Sequence, residues 1–179
     1  MATERSVFHL ISNITKEEGV PCVLIGGFAA NYYRVSRQTG DIDLLMTKEN
    51  YNKVSKAFRD AGYKEVNNSD AFVNLESNQL SLMKVDCVLV GEDTLKRILN
   101  ESQELMIAKQ KFLVPSLLHL IALKLHAMKN NFKFCFVKYF PDVVNLIKIN
   151  NVDVKGGKFK EMCLKYGTED IYKRILEVC

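Results

Sequence analysis

Residues 37–46 of the sequence read RQTGDIDLLM. The apolar residues predict a buried strand over Asp41–Met46, and because side chains alternate along a strand, Asp41 and Asp43 point to the same side. Two carboxylates this close repel each other, and an apolar strand rarely carries them without a cation that relieves the repulsion. A Mg²⁺ ion meets that need with oxygen ligands, whereas the structural alternative is a solvated strand end with two acids.

A glycine pair, Gly26 and Gly27, precedes this segment at the end of another apolar run. Cys22–Ile25 predicts a short buried strand, and a helix is expected from Phe28 to about Val35. Adjacent glycines between a strand and a helix let the backbone approach a ligand, and the N–H groups of the helix start then face an anion such as phosphate. Taken alone, the pair indicates a tight strand-to-helix turn.

A third acid, Asp86, lies within the apolar segment Leu82–Val90, which predicts another strand. Alternation places Lys84 and Asp86 on one face of this strand and the apolar residues between them on the other. A single charge in so apolar a strand needs a partner. The residues leave two partners open, a metal ion shared with other acids or a plain ion pair with Lys84.

The rest of the chain shows a change from mixed to helical patterns. Before Pro115, apolar residues spaced three to four apart predict the helices Val7–Ile14 and Tyr51–Ala61, and short apolar segments predict the strands Tyr63–Val66 and Ala71–Leu75. After Pro115 the helical spacing predicts helices at Leu117–Met128 and Val143–Ile149, and one or two more within Lys158–Val178. The fold class expected is therefore α/β (α+β), with a mixed-sheet core in residues 1–112 and an α-helical C-terminal subdomain in residues 113–179 packed on it.

Composition limits the class of protein further. The chain has 179 residues, 47% of them hydrophobic and 26% charged, which is a globular balance. The net charge of +4 suits an anionic substrate but falls short of a dedicated nucleic-acid binder. Five widely spaced cysteines indicate free thiols, no apolar run is long enough for a membrane span, and the first residues lack the order of a signal peptide. These features predict a cytoplasmic protein without a membrane partner.

The order of these motifs resembles the nucleotidyltransferase superfamily with the polymerase-beta-like fold. The resemblance rests on the glycine pair, then Asp41-Ile42-Asp43 on a second strand, then Asp86 on a later strand, and it is greatest to small bacterial AbiEii-type and minimal nucleotidyltransferases. It implies that the three acids bind two metal ions, Mg²⁺ or Mn²⁺. It also implies that the glycine pair is the phosphate turn for a nucleoside triphosphate such as ATP.

Two downstream segments extend the resemblance. The helix LIALKLHA carries Lys124, which is similar to the lysine that AbiEii-type proteins direct towards the nucleotide. Lys138 and Asp142 resemble the ends of the K-D-x-x-D segment that follows in those proteins, with Tyr139 in the place of its first Asp. Arg37 and Thr39 come directly before the acid pair, where they either contact phosphate or, for Arg37, simply pair with the carboxylates.

These residues predict an enzyme that moves a nucleoside monophosphate from an NTP to an acceptor hydroxyl with release of pyrophosphate. Asp41 and Asp43 hold both ions in this hypothesis, and Asp86 helps to deprotonate the acceptor. Acceptors in the wider family include tRNA ends, protein side chains and aminoglycoside hydroxyls, and the sequence does not choose among them. The alternative is a catalytically weak nucleotide-binding module or toxin–antitoxin partner that keeps the fold.

A last stretch, Lys129–Lys138, interleaves lysines with phenylalanines. Such a pattern either receives RNA or forms a solvated loop with hydrophobic anchors, and the loop is the interpretation favoured here. His119 and His126 lie seven residues apart on one predicted helix face, but without further ligands they indicate structural histidines rather than a metal site.

Overall fold

The computed structural model describes residues 6–179 and contains a seven-stranded mixed sheet. Its strands are β1 Val23–Leu24, β2 Asp41–Met46, β3 Tyr63–Asn68, β4 Phe72–Ser77, β5 Lys84–Leu89, β6 Gln103–Ile107 and β7 Gln110–Val114. The helices of the described residues are α1 Val7–Glu17, α2 Gly26–Tyr32, α3 Lys48–Asp60, α4 Glu92–Asn100, α5 Leu117–Asn130, α6 Phe132–Ile149, α7 Gly157–Tyr166 and α8 Glu169–Val178. The predicted α/β class with C-terminal helices is confirmed.

The strands follow the order β3-β4-β5-β2-β1-β7-β6 across the sheet. The β2–β5 and β1–β7 pairs are parallel, and the remaining neighbours are antiparallel. β2 is therefore central, between β5 and β1, and Ile42, Leu44 and Leu45 are fully buried in it. Burial of each such side chain contributes roughly 1.5–3 kcal/mol to folding. Because a shift of one residue would expose these side chains, their burial fixes the register of β2 and the position of its two acids.

The chain divides into two compact units. The first holds the described residues up to Ala29 together with Gln38–Pro115, and therefore the whole sheet with α1, α3 and α4. The second holds Ala30–Arg37 and Ser116–Cys179, which include α5 to α8. Within the second unit the core is formed by apolar residues of these helices, among them Leu125, Leu146 and Ile171, which are fully buried.

The structure corrects the interpretation of Lys129–Lys138 as a loop. α6 begins at Phe132 and continues through Pro141 to Ile149. Phe132, Phe136 and Phe140 lie four residues apart, and their neighbouring ring centroids are 4.6 and 4.5 Å from each other along the helix. Proline normally ends a helix, so Pro141 hid the helical spacing of these rings in the sequence.

Smaller differences concern element bounds. α2 begins at Gly26 rather than at Phe28 and ends at Tyr32, three residues before the expected end. β1 covers only Val23–Leu24 of the predicted strand, while the predicted bounds of β2 agree with the structure. None of the helices within residues 6–179 is long and apolar enough to cross a membrane.

Candidate metal centre

Three acids converge on one face of the sheet in the first unit. One carboxylate oxygen from each of Asp41, Asp43 and Asp86 lies within 4.8 Å of the others, and all three residues are partly buried. The parallel register of β2 and β5 puts Asp43 directly opposite Asp86, and the two-residue period of β2 brings Asp41 to the same side. The set fits a divalent ion of the Mg²⁺ type, because such ions prefer oxygen ligands and offset the repulsion between clustered carboxylates.

The lack of a side chain at Gly26 leaves room for the Asp43 carboxylate of this cluster. The φ of Gly26 is +63°, and a Cβ atom at this position would lie 1.9 Å from Oδ2 of Asp43. A Cβ on Gly27 would similarly meet the Cβ of Thr39 at 2.7 Å. The glycine pair is thus required for close packing of backbone against Asp43 and Thr39, an observation that the sequence pattern did not provide.

Thr39 positions Asp41. Its hydroxyl lies 2.9 Å from Oδ1 of Asp41 and 3.1 Å from the backbone oxygen of the same residue, so it can donate a hydrogen bond to either acceptor. The contact with phosphate expected for Thr39 stays a prediction. Its observed role is to restrain the carboxylate at the start of β2.

Asp86 has a neutral partner. The side-chain amide of Asn74 on β4 donates to Oδ1 of Asp86 at 2.7 Å, and the two residues are also directly opposite in the β4–β5 register. Lys84, the partner that the sequence had left open, pairs with Glu76 instead. The Glu76 carboxylate raises the pKa of Lys84, and the charges of Asp86 and Asp41 add to this effect.

Arg37 and Lys124, the two predicted phosphate-binding cations, share a partner in the second unit. The Arg37 guanidinium donates to Oδ2 of Asp142, and Lys124 Nζ donates to the same oxygen at 2.8 Å. The Lys124 side chain is 4% exposed, and its ammonium group lies 4.9 Å from the ring centroid of Tyr139. The side chain of Arg37 is therefore paired with Asp142, a residue that the sequence had singled out without a role.

The backbone of Arg37 is also held. The side-chain oxygen of Asn31 accepts from Arg37 N at 2.8 Å, and its amide donates to Arg37 O at 3.0 Å. Neither Asn31 nor Asn74 was identified from the sequence, because a single asparagine carries no charge signal. The only pattern that could have indicated Asn74 is its alternation with Val73 and Leu75 on β4.

A mixed sheet with three convergent carboxylates is the arrangement expected of a nucleotidyltransferase. The chain belongs to the family described as "Uncharacterised nucleotidyltransferase", which matches residues 8–179. It is therefore an enzyme of the nucleotidyltransferase class, as the sequence predicted. No curated protein sequence matches the chain. The greater likeness to AbiEii-type proteins stays a prediction.

Solved structures show the same fold at low sequence identity. ANT(2'')-Ia in complex with adenylyl-2''-tobramycin has a TM-score of 0.65 and 16% identity, over 89% of this chain and 94% of that one. The lincosamide antibiotic adenylyltransferase LnuA, bound to lincomycin, has a TM-score of 0.55 and 18% identity, over 82% and 98%. An antigenic nucleotidyltransferase-like protein from Paracoccidioides brasiliensis has a TM-score of 0.57 and 11% identity, over 98% and 94%.

Proposed function

We propose that this enzyme is metal-dependent and transfers a nucleoside monophosphate from an NTP to a hydroxyl group of a small molecule. The observation that carries this proposal is the cluster of Asp41, Asp43 and Asp86, whose oxygens lie within 4.8 Å of one another. The choice of a small molecule is supported by the shared fold of ANT(2'')-Ia and LnuA. The structure of ANT(2'')-Ia contains adenylyl-2''-tobramycin, and that of the adenylyltransferase LnuA contains lincomycin.

The three carboxylates are the residues that would hold Mg²⁺ or Mn²⁺. Two bound ions would activate the attacking hydroxyl and neutralise charge on the departing pyrophosphate. Asp41 and Asp43 would provide ligands to both ions, and this demand explains why two acids share one face of a buried strand. Thr39 would keep Asp41 oriented through the 2.9 Å contact already described.

Asp86 would receive the proton of the acceptor. The hydroxyl oxygen of the acceptor forms a bond to the α-phosphorus as the bond from that phosphorus to the bridging oxygen of pyrophosphate breaks. The electron pair of the broken bond leaves with pyrophosphate, and the hydroxyl proton passes to the Asp86 carboxylate. Most of the rate acceleration in such a displacement comes from positioning and charge stabilisation.

Five residues are proposed to hold the triphosphate. The backbone N–H groups at Gly26 and Gly27 can approach phosphate oxygens closely because neither residue has a side chain. Thr39 and Arg37 are proposed from their place before the acid pair, and Lys124 from the family resemblance. The pairing of Arg37 and Lys124 with Asp142 is consistent with cations held in fixed positions.

The test is a transfer assay with the purified protein. Each of the four NTPs, labelled at the α-phosphate, is incubated with Mg²⁺ and separately with aminoglycosides, lincosamides, total RNA or total protein. We expect label on a small molecule, with pyrophosphate released in equal amount and no transfer by Asp41→Asn or Asp43→Asn. Label on RNA or protein alone would contradict the acceptor class, and metal-dependent NTP binding without transfer would indicate a nucleotide-binding module instead.

A further inference from the structure

A row of polar side chains crosses three neighbouring strands at the carboxylate cluster. Asn74 on β4 is opposite Asp86 on β5, and Asp86 is opposite Asp43 on β2. Directly opposed residues place their side chains on the same face of a sheet, so the amide and the two carboxylates line up. The 2.7 Å bond from Asn74 Nδ2 to Asp86 Oδ1 links the first two members of the row.

This bond is the principal restraint on the Asp86 side chain. Among the described residues, Asn74 is the one hydrogen-bond donor to the Asp86 carboxylate. Lys84, the nearest cation along the strand, is engaged by Glu76. The bond to Oδ1 restricts rotation of the carboxylate, while its remaining lone pairs, including those of Oδ2, can still meet a ligand.

The neutral charge of the partner matters as much as its geometry. An ammonium or guanidinium group bonded to Asp86 would neutralise the carboxylate and repel an incoming divalent cation. An amide donates one hydrogen bond and adds no net charge. Hydrogen-bonded partners of this kind orient the ligands of metal sites, and their loss typically lowers metal affinity or activity by about 10- to 100-fold.

We infer that Asn74 is a positioning residue, which fixes the Asp86 carboxylate in the orientation that nucleotidyl transfer requires. This inference rests on the proposed function of Asp86. It adds a residue from β4, a strand that contributes no member of the acid cluster, to the residues on which transfer depends. Asn74 acts through Asp86 and has no role of its own in the chemistry.

The test compares Asn74→Leu with a matched control in the same sheet row. Leucine has nearly the shape of asparagine but cannot donate, and Asn67→Leu makes the same change on β3 at the position opposite Asn74. We expect Asn74→Leu to lower kcat about 10- to 100-fold with KM for the NTP within about twofold, and to raise the Mg²⁺ concentration for half-maximal rate. Asn67→Leu should retain wild-type values.

A double-mutant cycle separates positioning from general damage. If Asn74 acts through Asp86, Asn74→Leu should have no further effect on kcat in an Asp86→Asn background. An equal loss in both backgrounds, or wild-type kcat for a folded Asn74→Leu, would overturn the inference. Asn74→Ala provides a second variant if the leucine variant does not fold, and circular dichroism with thermal unfolding checks each protein.

The two proposals fail in different ways. Wild-type transfer by Asp86→Asn would overturn the proposed role of Asp86 and the inference with it, whereas loss in Asp86→Asn with none in Asn74→Leu would overturn the inference alone. If the wild-type protein transfers no nucleotide, calorimetry of Mn²⁺ binding tests whether Asn74 positions Asp86. Weaker binding by Asn74→Leu than by Asn67→Leu supports the positioning of Asp86, and equal or absent binding overturns it.

Discussion

At the scale of single residues, Gly26 and Gly19 form a natural comparison. Both have a φ of +63°, but a Cβ on Gly26 would lie 1.9 Å from Asp43 Oδ2, while a Cβ on Gly19 would have no neighbour within 4 Å. Alanine at either position adds a left-handed strain of about 1–2 kcal/mol. Alanine at Gly26 must also displace the carboxylate, so its effect extends beyond the backbone.

We therefore predict that Gly19→Ala and Gly26→Ala both lose about 1–2 kcal/mol of unfolding free energy through strain, with a further loss for Gly26→Ala from the clash. Only Gly26→Ala should lose nucleotide transfer, by about tenfold or more, because Asp43 is displaced. Urea unfolding and the transfer assay measure the two effects. Equal activity of the two variants would show that Gly26 serves only the backbone turn.

A second prediction concerns the repulsion within the acid cluster. Asp43→Asn removes one of three neighbouring negative charges, which relieves repulsion in the cluster and also removes a ligand for a divalent ion. Adding Mg²⁺ with an NTP should raise the Tm of the wild type and leave that of the variant nearly unchanged, because only a ligand that binds the native state stabilises it. Thermal unfolding with and without both ligands measures this. A marked drop in the metal-free Tm would indicate that Asp43 stabilises the fold instead.

The residues of the candidate site differ in how far the sequence could reveal them. Strand alternation alone placed Asp41 and Asp43 on one face, and the structure agrees. The prediction that Asp86 joins them rests chiefly on the family resemblance, because alternation along a strand does not show which strands pair. Asn74 became visible only once the register put it opposite Asp86.

At the scale of elements, α5 and α6 are joined by a buried ion pair. Lys124 of α5 and Asp142 of α6 bond at 2.8 Å, with side chains 4% and 10% exposed. Arg37 bonds the same carboxylate oxygen from the segment that follows α2. Removing Asp142 therefore takes away an anion that two cations bond, and loss of one member of a buried ion pair costs more than the pair itself contributes to stability.

We predict that Asp142→Ala lowers the free energy of unfolding by about 3 kcal/mol or more. Glu169→Ala, which breaks the exposed Lys173–Glu169 pair of α8, should cost no more than about 1 kcal/mol. Chemical denaturation of both variants measures the difference. Equal losses would mean that the buried pair contributes no more to stability than an exposed one.

Helices and strands could be predicted where the spacing of apolar residues followed a single pattern. The predicted bounds of β2 agree with the structure because its buried residues Ile42, Leu44, Leu45 and Met46 alternate with, and then follow, the two acids. α6 was read as a loop over its first turns because Pro141 and the lysines outweighed the four-residue spacing of its phenylalanines. β6 and β7 were not predicted, since Lys109 in their turn and Gln110 and Lys111 at the start of β7 interrupt the apolar pattern.

At the scale of the whole molecule, each unit contains a buried cysteine. Cys87 lies in β5 of the first unit and Cys163 in α7 of the second, and both are fully buried. Burial raises the pKa of Cys163 to about 12 and also raises the pKa of Cys87. Since the thiolate is the reactive form, neither residue should react near neutral pH while its unit is folded.

We predict that a thiol reagent at pH 8 labels Cys179, which is exposed, and spares Cys87 and Cys163 until denaturant is added. Raising the pH towards 9 should speed labelling of Cys179 and leave the two buried thiols protected. Peptide mapping by mass spectrometry identifies each site and reports the opening of each unit separately. Rapid labelling of Cys87 in native protein would contradict the packing of β5.

The segment Ala30–Arg37 has a consequence for how such enzymes can be recombined. It belongs to the second unit although residues of the first unit precede and follow it in the chain. Within that unit Tyr33 O accepts from the side chain of Asn150 at 3.1 Å, and Arg37 pairs with Asp142. A chimaera that took only residues 116–179 from a relative would combine the relative's helices with the native segment 30–37, so an exchange of the whole second unit needs two crossover regions.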